Sequence, residues 1–222
     1  MLKFGIVSYS SVDMTDSQAS VETLFLDLSH PNPNIRSEAC LSLAENHSDI
    51  AIPRFFALLD DSDPVIYRTA VRGLGMLGHQ VLPELLQLFL TSDNGTVRAC
   101  CIKAIVQISV YHSGISFSDE TINVLEGALD DQNPVVAQSA LMTLGHLSKQ
   151  ESEKDRVIPL LIKACDSPNI AHVQAAAMAL AELDSPLVID SLQSLANDNL
   201  RDPLIREVAQ ASLARYESLN SL

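Results

Sequence analysis

The chain has 222 residues, of which 47% are hydrophobic, only 5% are aromatic and none is tryptophan. With 28 acidic residues against 14 basic ones, its formal net charge is −14. A field of that sign repels phosphate backbones and argues against a general nucleic-acid binder. The shortage of aromatic residues leaves the packing of the core to small and aliphatic side chains, as in helical repeat arrays.

Residues 1–19 show weak helical periodicity and contain several Ser and Asp residues, which predicts a mobile N-terminal arm; Met14 is an alternative start of the chain. Residues 1–12 lack the basic start and the longer apolar core of a signal peptide, and the sequence contains no transmembrane run. We therefore expect a cytoplasmic protein. After the N-terminal arm, we expect a single domain, a repeat array, over residues 20–222.

From Ser20 onward one short phrase recurs, most clearly in residues 59–75 and 129–145. Each copy contains the end of one helix, an acidic turn, a proline and an amphipathic run towards glycine. The Asp or Asn before the proline, as at Asp63 and Asn133, is expected to cap the free N–H groups of the next helix, and proline needs no donor at that position. The phrase therefore marks the start of the second helix in each of a series of helix pairs.

The spacing of these turns sets the period of the repeat. The turn residues of the first four copies are 31, 31 and 39 residues apart: Pro33, Pro64, Gly95 and Pro134. About eight residues are therefore inserted before the fourth copy, within residues 111–120, where we expect a longer loop. Matching helices place the fifth copy 36 residues later, and the last copy begins at Pro203. Six helix pairs with this period predict an all-α fold, an α-solenoid with a right-handed superhelical twist.

Two further patterns concern packing. A proline precedes an apolar run in three first helices, at Pro53, Pro83 and Pro159, and we expect each proline in the first helical turn, where it fixes φ and no hydrogen bond is lost. Small side chains occupy one equivalent position in five second helices: Ala39, Ala70, Cys101, Ala140 and Ala176. A small side chain there lets neighbouring helices approach closely, which explains Cys101 without chemistry.

The first-helix proline, the Asp-Asp-x-Asp/Asn-Pro-x-Val turn and the Ala-x-x-x-Leu-Gly-x-Leu-Gly ending resemble HEAT-like repeats, from about Val21 to Tyr216. In particular they resemble the short form of the E/F-type phycobilin lyases of cyanobacteria. The resemblance implies a binding module in bilin attachment, turnover or chaperoning, with a biliprotein subunit or a second HEAT-like subunit as protein partner. A linear tetrapyrrole (bilin) would then be a ligand, not a tightly bound cofactor.

The alternative is a general adaptor, for example a partner of iron–sulfur assembly proteins, with no bilin. Whether the chain catalyses any reaction is open, and a non-catalytic binding protein is favoured over a lyase subunit. The sequence contains no Gly-rich phosphate loop and no metal-spaced His/Cys cluster, so it predicts no catalytic residue and no metal ligand. None of the six histidines is followed by Glu, which excludes a di-iron hydroxylase with His-Glu ligand pairs; His146, after a helix-ending glycine, is interpreted as a cap or a solvated side chain.

The four cysteines show no CxxC spacing and are interpreted as reduced thiols packed as small apolar groups. The alternative is a metal or cluster site, or a thiol that holds a covalent adduct. Cys100, next to the packing position of Cys101, is expected to be partly exposed.

The candidate binding face consists of second-helix residues that point away from the predicted core, since second helices of solenoids line the concave binding surface. Its members are Leu41, Arg68, Arg72, Lys103, Met142 and Met178. Three basic residues in a strongly acidic chain, flanked by apolar ones, fit a partner that has carboxylates and an apolar body. A bilin with two propionates fits this description, and so does an acidic protein helix, for which methionine is an adaptable contact.

A purely structural role is the alternative for this face: its residues would cover neighbouring helices and its arginines would pair with turn carboxylates such as Asp61 and Asp63. Three other arginines follow their turn position by three places, at Arg36, Arg98 and Arg206. These are predicted to form an internal ladder to turn aspartates.

Overall fold

A computed structural model of the protein describes residues 12–220, with side chains described for residues 20–219. Within this range the chain forms twelve α-helices and one short 3-10 helix, Gly78–Val81, and contains no strand. The α-helices are α1 (Val12–Asp27), α2 (Pro33–Asn46), α3 (Ser48–Leu58), α4 (Pro64–Leu77), α5 (Leu82–Thr91), α6 (Gly95–Tyr111), α7 (Asp119–Ala128), α8 (Pro134–Leu147), α9 (Lys154–Ala164), α10 (Ile170–Leu180), α11 (Pro186–Asn197) and α12 (Pro203–Asn220). The predicted all-α class is confirmed, and none of the described helices is long and apolar enough to cross a bilayer.

The first helix begins at Val12, inside the segment assigned to the N-terminal arm, and the remainder of that segment lies outside the described residues. The chain forms two compact units, one that ends at Gly73 and one that begins at Leu74. The predicted single domain over residues 20–222 stays a prediction.

A side-chain cap at the start of every second helix fixes where that helix begins. In all six cases the oxygen of an Asn or Asp accepts a hydrogen bond of 2.8–3.0 Å from the N–H two residues later: Asn32, Asp63, Asn94, Asn133, Asn169 and Asp202. The capping oxygen satisfies one of the backbone donors that a helix start leaves without a partner. The predicted turn chemistry is therefore present in each repeat.

In the unit from Leu74 onward the helices form two layers. The first helices α5, α7, α9 and α11 contact one another in chain order, and the second helices α6, α8, α10 and α12 do the same. The small residues Cys101, Ala140 and Ala176 are buried between them. Close approach is also visible at Gly75, where an added Cβ would lie 2.3 Å from the Cβ of Gln107. Small side chains thus let the second helices of this unit pack closely against one another, as the sequence predicted.

The inserted segment between α6 and α7 is anchored by a buried carboxylate. Glu153, fully buried, accepts hydrogen bonds from the Ser116 hydroxyl (3.0 Å) and the Phe117 N–H (3.1 Å). Its second oxygen accepts one from Arg156 (2.9 Å), which in turn donates to the Phe117 carbonyl (2.8 Å). Both carboxylate oxygens of Glu153 are therefore satisfied, and residues 116–117 of the insertion are tied to the start of α9.

Two of the three first-helix prolines do not lie where the sequence analysis placed them. Pro83 is in the first turn of α5, but Pro53 and Pro159 lie inside α3 and α9. Both of these helices begin a full turn before the proline, at Ser48 and Lys154. Proline has no backbone N–H to donate to a helical hydrogen bond. It does not prevent the residues on its N-terminal side from forming a helical turn.

The predicted arginine ladder is correct only for Arg98. Its guanidinium forms two 2.9 Å hydrogen bonds with the carboxylate of Asp131, in the turn of the following repeat. Arg36 instead donates to carbonyls of its own turn, and Arg206 donates to the side chain of Asn199 at 3.3 Å. Asp61, which holds in the next turn the place that Asp131 holds for Arg98, instead accepts a hydrogen bond from the Asp63 N–H.

We expect Asp131→Asn to destabilise the protein by about 1.5–3 kcal/mol at pH 7, because it removes one partner of a paired, largely buried charge. The two side chains are only 19% and 11% exposed, and the hydrogen bonds from Arg98 lower the pKa of Asp131 below its ordinary value of 3.8. Stability from this carboxylate is therefore complete above about pH 4 and is lost as the pH falls through the lowered pKa. Urea unfolding followed by circular dichroism should show the deficit at pH 7 and its disappearance in acid.

Glu22→Gln is the matched control, since it breaks the exposed pair with Arg54. Exposed pairs contribute little, so this variant should unfold close to the parent. An Asp131→Asn variant no less stable than Glu22→Gln at pH 7 would contradict a stabilising role for the Arg98 contact.

Candidate functional site

In the unit that ends at Gly73, the predicted binding face is represented by Leu41 on α2 and by Arg68 and Arg72 on α4. Leu41 is 45% exposed, and Arg68 is exposed with its guanidinium 5.8 Å from the centre of the Tyr67 ring. Arg72 is half-buried and donates a hydrogen bond to the Ser37 hydroxyl. The two arginines lie one helical turn apart on α4.

The alternative, in which these arginines pair with the turn carboxylates of Asp61 and Asp63, is wrong. Asp61 accepts a hydrogen bond from the Asp63 N–H, and Asp63 accepts one from the Val65 N–H, both at 2.8 Å. The two carboxylates therefore serve the turn itself. Among the described contacts, the cationic groups of the arginines are not neutralised by these acids.

In the unit that begins at Leu74, three predicted residues line one cavity of about 590 Å³: Lys103 from α6, Met142 from α8 and Met178 from α10. Each lies eight residues after the first residue of its helix, so the repeat places them in one column. Met142 is 67% exposed and Met178 47% exposed, although both are large apolar side chains. The volume lies within the range of small-molecule sites, about 300–1,000 Å³.

A second column borders the cavity, and the sequence analysis missed it as a binding feature. His146 and Glu182 line the cavity twelve residues after the starts of α8 and α10, and Arg215 holds the same place in α12. A neighbouring apolar groove contains Arg215, Val208 and Ala211, and it shares Met178 with the cavity. The signal for this column in the sequence is the same place in three successive second helices, twelve residues after the helix start.

Glu182 joins two cations at this border. One of its oxygens lies 2.6 Å from the Lys149 ammonium and the other 2.7 Å from the Arg215 guanidinium. The hydrogen bond from Lys149, followed by that from Arg215, lowers the pKa of Glu182. Glu182 is therefore ionised at neutral pH, and its group of three charges has a net charge of +1.

His146 contributes a neutral imidazole to the cavity. It is half-buried, and burial, followed by the positive charge of Lys149, lowers the pKa of the ring below its ordinary value of 6.5. A neutral ring both donates and accepts hydrogen bonds. The interpretation of His146 as a cap or solvated side chain is therefore replaced by a place in the cavity wall.

The cysteines lie away from this chemistry. All four are buried, and the predicted partial exposure of Cys100 is wrong, because that residue is only 2% exposed. Burial raises the pKa of Cys40, Cys101 and Cys165 to about 12. Among the described residues, no group of three or more His, Cys, Asp or Glu side chains is placed to hold a metal ion.

Comparison with known proteins identifies the repeat. A family model described as HEAT repeats matches residues 17–109 and 118–214. The chain is 56% identical over 182 residues to the bilin biosynthesis protein CpeZ of Synechococcus sp. (strain WH8020). The alignment covers 82% of this chain and 98% of CpeZ. It is 36% identical over 199 residues to phycocyanin operon protein Z of Pseudanabaena tenuis (strain PCC 7409), with 89% of this chain and 96% of that protein covered.

Solved structures agree on the fold. The complex of CpcE and CpcF of phycocyanin lyase from Nostoc sp. PCC7120 contains a chain similar to this one, with a TM-score of 0.54 at 22% identity, over 73% of this chain and 97% of that one. The E. coli protein YibA gives a TM-score of 0.55 at 17% identity, over 97% of this chain and 81% of the other. Together with the family model, these similarities confirm the predicted α-solenoid.

The burial of the thiols leads to a simple expectation. The native protein should react very slowly with a thiol reagent such as dithionitrobenzoate at pH 8, because thiols with raised pKa values form little thiolate and the side chains are covered. After denaturation all four cysteines should react. A cysteine that reacts within seconds in the native protein would show that an accessible nucleophile exists and would reopen a covalent role.

Proposed function

The chain belongs to the HEAT-repeat family, and on that premise we propose that it is a binding module in phycobiliprotein maturation, which holds a bilin in the cavity of its second helices and presents it to a biliprotein subunit. The observation that carries the proposal is the cavity itself, with methionines at its surface and cations at its border. The 56% identity to a bilin biosynthesis protein over 98% of that protein's length supports the choice of ligand.

The chemistry of the cavity matches the two parts of a bilin. The ring system offers a flat apolar surface, for which the adaptable side chains of Met142 and Met178 are suited. The two propionates require positive charge, which Lys103, Lys149 and Arg215 supply. With Glu182 as counter-ion, these groups give a local charge of +2 in a chain whose formal net charge is −14. Charge-assisted hydrogen bonds to the propionates would fix the orientation of the ring system.

We propose that this chain holds the bilin and does not itself form a covalent bond to it. Buried thiols with raised pKa values are poor nucleophiles, and all four cysteines are buried. The acceptor thiol would therefore come from a protein partner. That partner would be a biliprotein subunit, bound directly or with the help of a second HEAT-like chain.

Biliverdin titration followed by absorbance tests the cavity. Met142→Ala and Met178→Ala should each weaken binding about 5-fold, because each removes side-chain atoms that the ligand would cover. Leu90→Ala is the control: Leu90 is 66% exposed on the first helix α5, outside the cavity residues. If the parent shows no spectral change with biliverdin, alone or with a candidate biliprotein subunit, the bilin function is wrong; if all variants bind like the parent, the cavity is the wrong site.

The arginines of the other unit are proposed as an alternative bilin site, separate from the cavity. If the propionates bind there, Arg68→Ala together with Arg72→Ala should weaken bilin binding about 10- to 100-fold, since hydrogen bonds to charged groups are worth ~1–3 kcal/mol. The helical signal should stay unchanged, because Arg68 is exposed and Arg72 only half-buried. Equal binding by the parent and the double variant would restrict the site to the cavity of the second unit.

A further inference from the structure

The ion cluster at the border of the cavity links three separate segments of the chain. Lys149 lies in the turn after α8, Glu182 follows the end of α10, and Arg215 is in α12. The carboxylate oxygens of Glu182 are 2.6 Å and 2.7 Å from the two cationic groups. Lys149 lines the cavity together with Met178, and Met178 also lines the groove that contains Arg215.

Stability does not account for this arrangement. The side chains of Lys149, Glu182 and Arg215 are 55%, 31% and 48% exposed. Ion pairs at such exposure contribute little to the free energy of unfolding, because water solvates the separated charges almost as well. The same argument means that the cluster opens at small cost, so another carboxylate can take the place of Glu182.

We propose that Glu182 is a displaceable counter-ion: a carboxylate of the ligand replaces it on Lys149 and Arg215, while the second carboxylate of the same ligand pairs with Lys103. This inference rests on the proposed function and specifies the ligand as a dicarboxylate with an apolar body. In the structure Glu182 keeps the two cations in place. When the ligand binds, Glu182 competes with the ligand carboxylate for Lys149 and Arg215. This competition lowers the affinity for the ligand and favours ligands that have carboxylates of their own.

Glu182→Gln is the direct test, because glutamine keeps the shape and removes the competing charge. We expect this variant to bind biliverdin about 10-fold more tightly than the parent, by absorbance titration at low ionic strength, with a gain that shrinks as salt screens the freed cations. Glu182→Ala should show the same direction of change. Circular dichroism should show equal helicity in the three proteins.

Glu126→Gln is the matched control. Glu126 forms a 2.7 Å pair with Lys163 that is similarly exposed and involves no residue of the cavity. The variant changes the net charge by the same amount, so any gain from weaker long-range repulsion appears in both proteins. Biliverdin dimethyl ester is the second control, since it has the ring system without the carboxylates, and Glu182→Gln should give no gain with it.

A double-mutant cycle isolates the exchange from other effects. In a Lys149→Ala, Arg215→Ala background, removal of the Glu182 charge should no longer tighten biliverdin binding, because the cations that it competes for are absent. Equal affinities of Glu182→Gln and Glu126→Gln, weaker binding by Glu182→Gln, or an equal gain with the dimethyl ester would each overturn the inference while the proposed function stands. Absence of biliverdin binding in the parent and in Glu182→Gln would overturn both.

Discussion

The structure depends on one local interaction, the hydrogen bond from an Asn or Asp side chain to the backbone at the start of each second helix. The bond occurs in all six repeats at 2.8–3.0 Å. In five of the six turns, the residue two places before the cap accepts the cap's own N–H as well. Each second helix therefore starts at the same point of the repeat, and equivalent positions acquire equivalent directions.

This common start turns a repeat in sequence into columns of side chains in space. Within the second unit, small residues at one position let α6, α8 and α10 pack closely, so that residues elsewhere on the same helices come together. The methionine column at Met142 and Met178 and the polar column at His146, Glu182 and Arg215 arise in this way. The cavity thus needs no special loop, because it is a property of the packed helices themselves.

Local signals were sufficient for the helices, their caps and the order of the repeats, because each is decided by a few neighbouring residues. They were insufficient where the outcome depends on contacts 30 or more residues away. The ion cluster of Glu182 draws partners from 33 residues before and 33 after it, and the bond of Arg72 to Ser37 spans 35 residues. Pro53 shows a different failure: proline marks where a backbone donor is missing, which does not fix where the helix begins.

The acidic surface and the basic border of the cavity act at different distances. A chain with a formal charge of −14 repels anions. At physiological salt this repulsion is largely screened beyond roughly 8 Å from the charges. Inside that distance an anion meets Lys103, Lys149 and Arg215, but a small anion gains only exposed ion pairs, which are weak. A ligand that also covers Met142 and Met178 adds apolar burial to the same contacts. For the proposed function, the combination of net repulsion with local attraction would therefore favour amphipathic carboxylates over simple anions, with the exposed methionines as well as the cations contributing to selectivity.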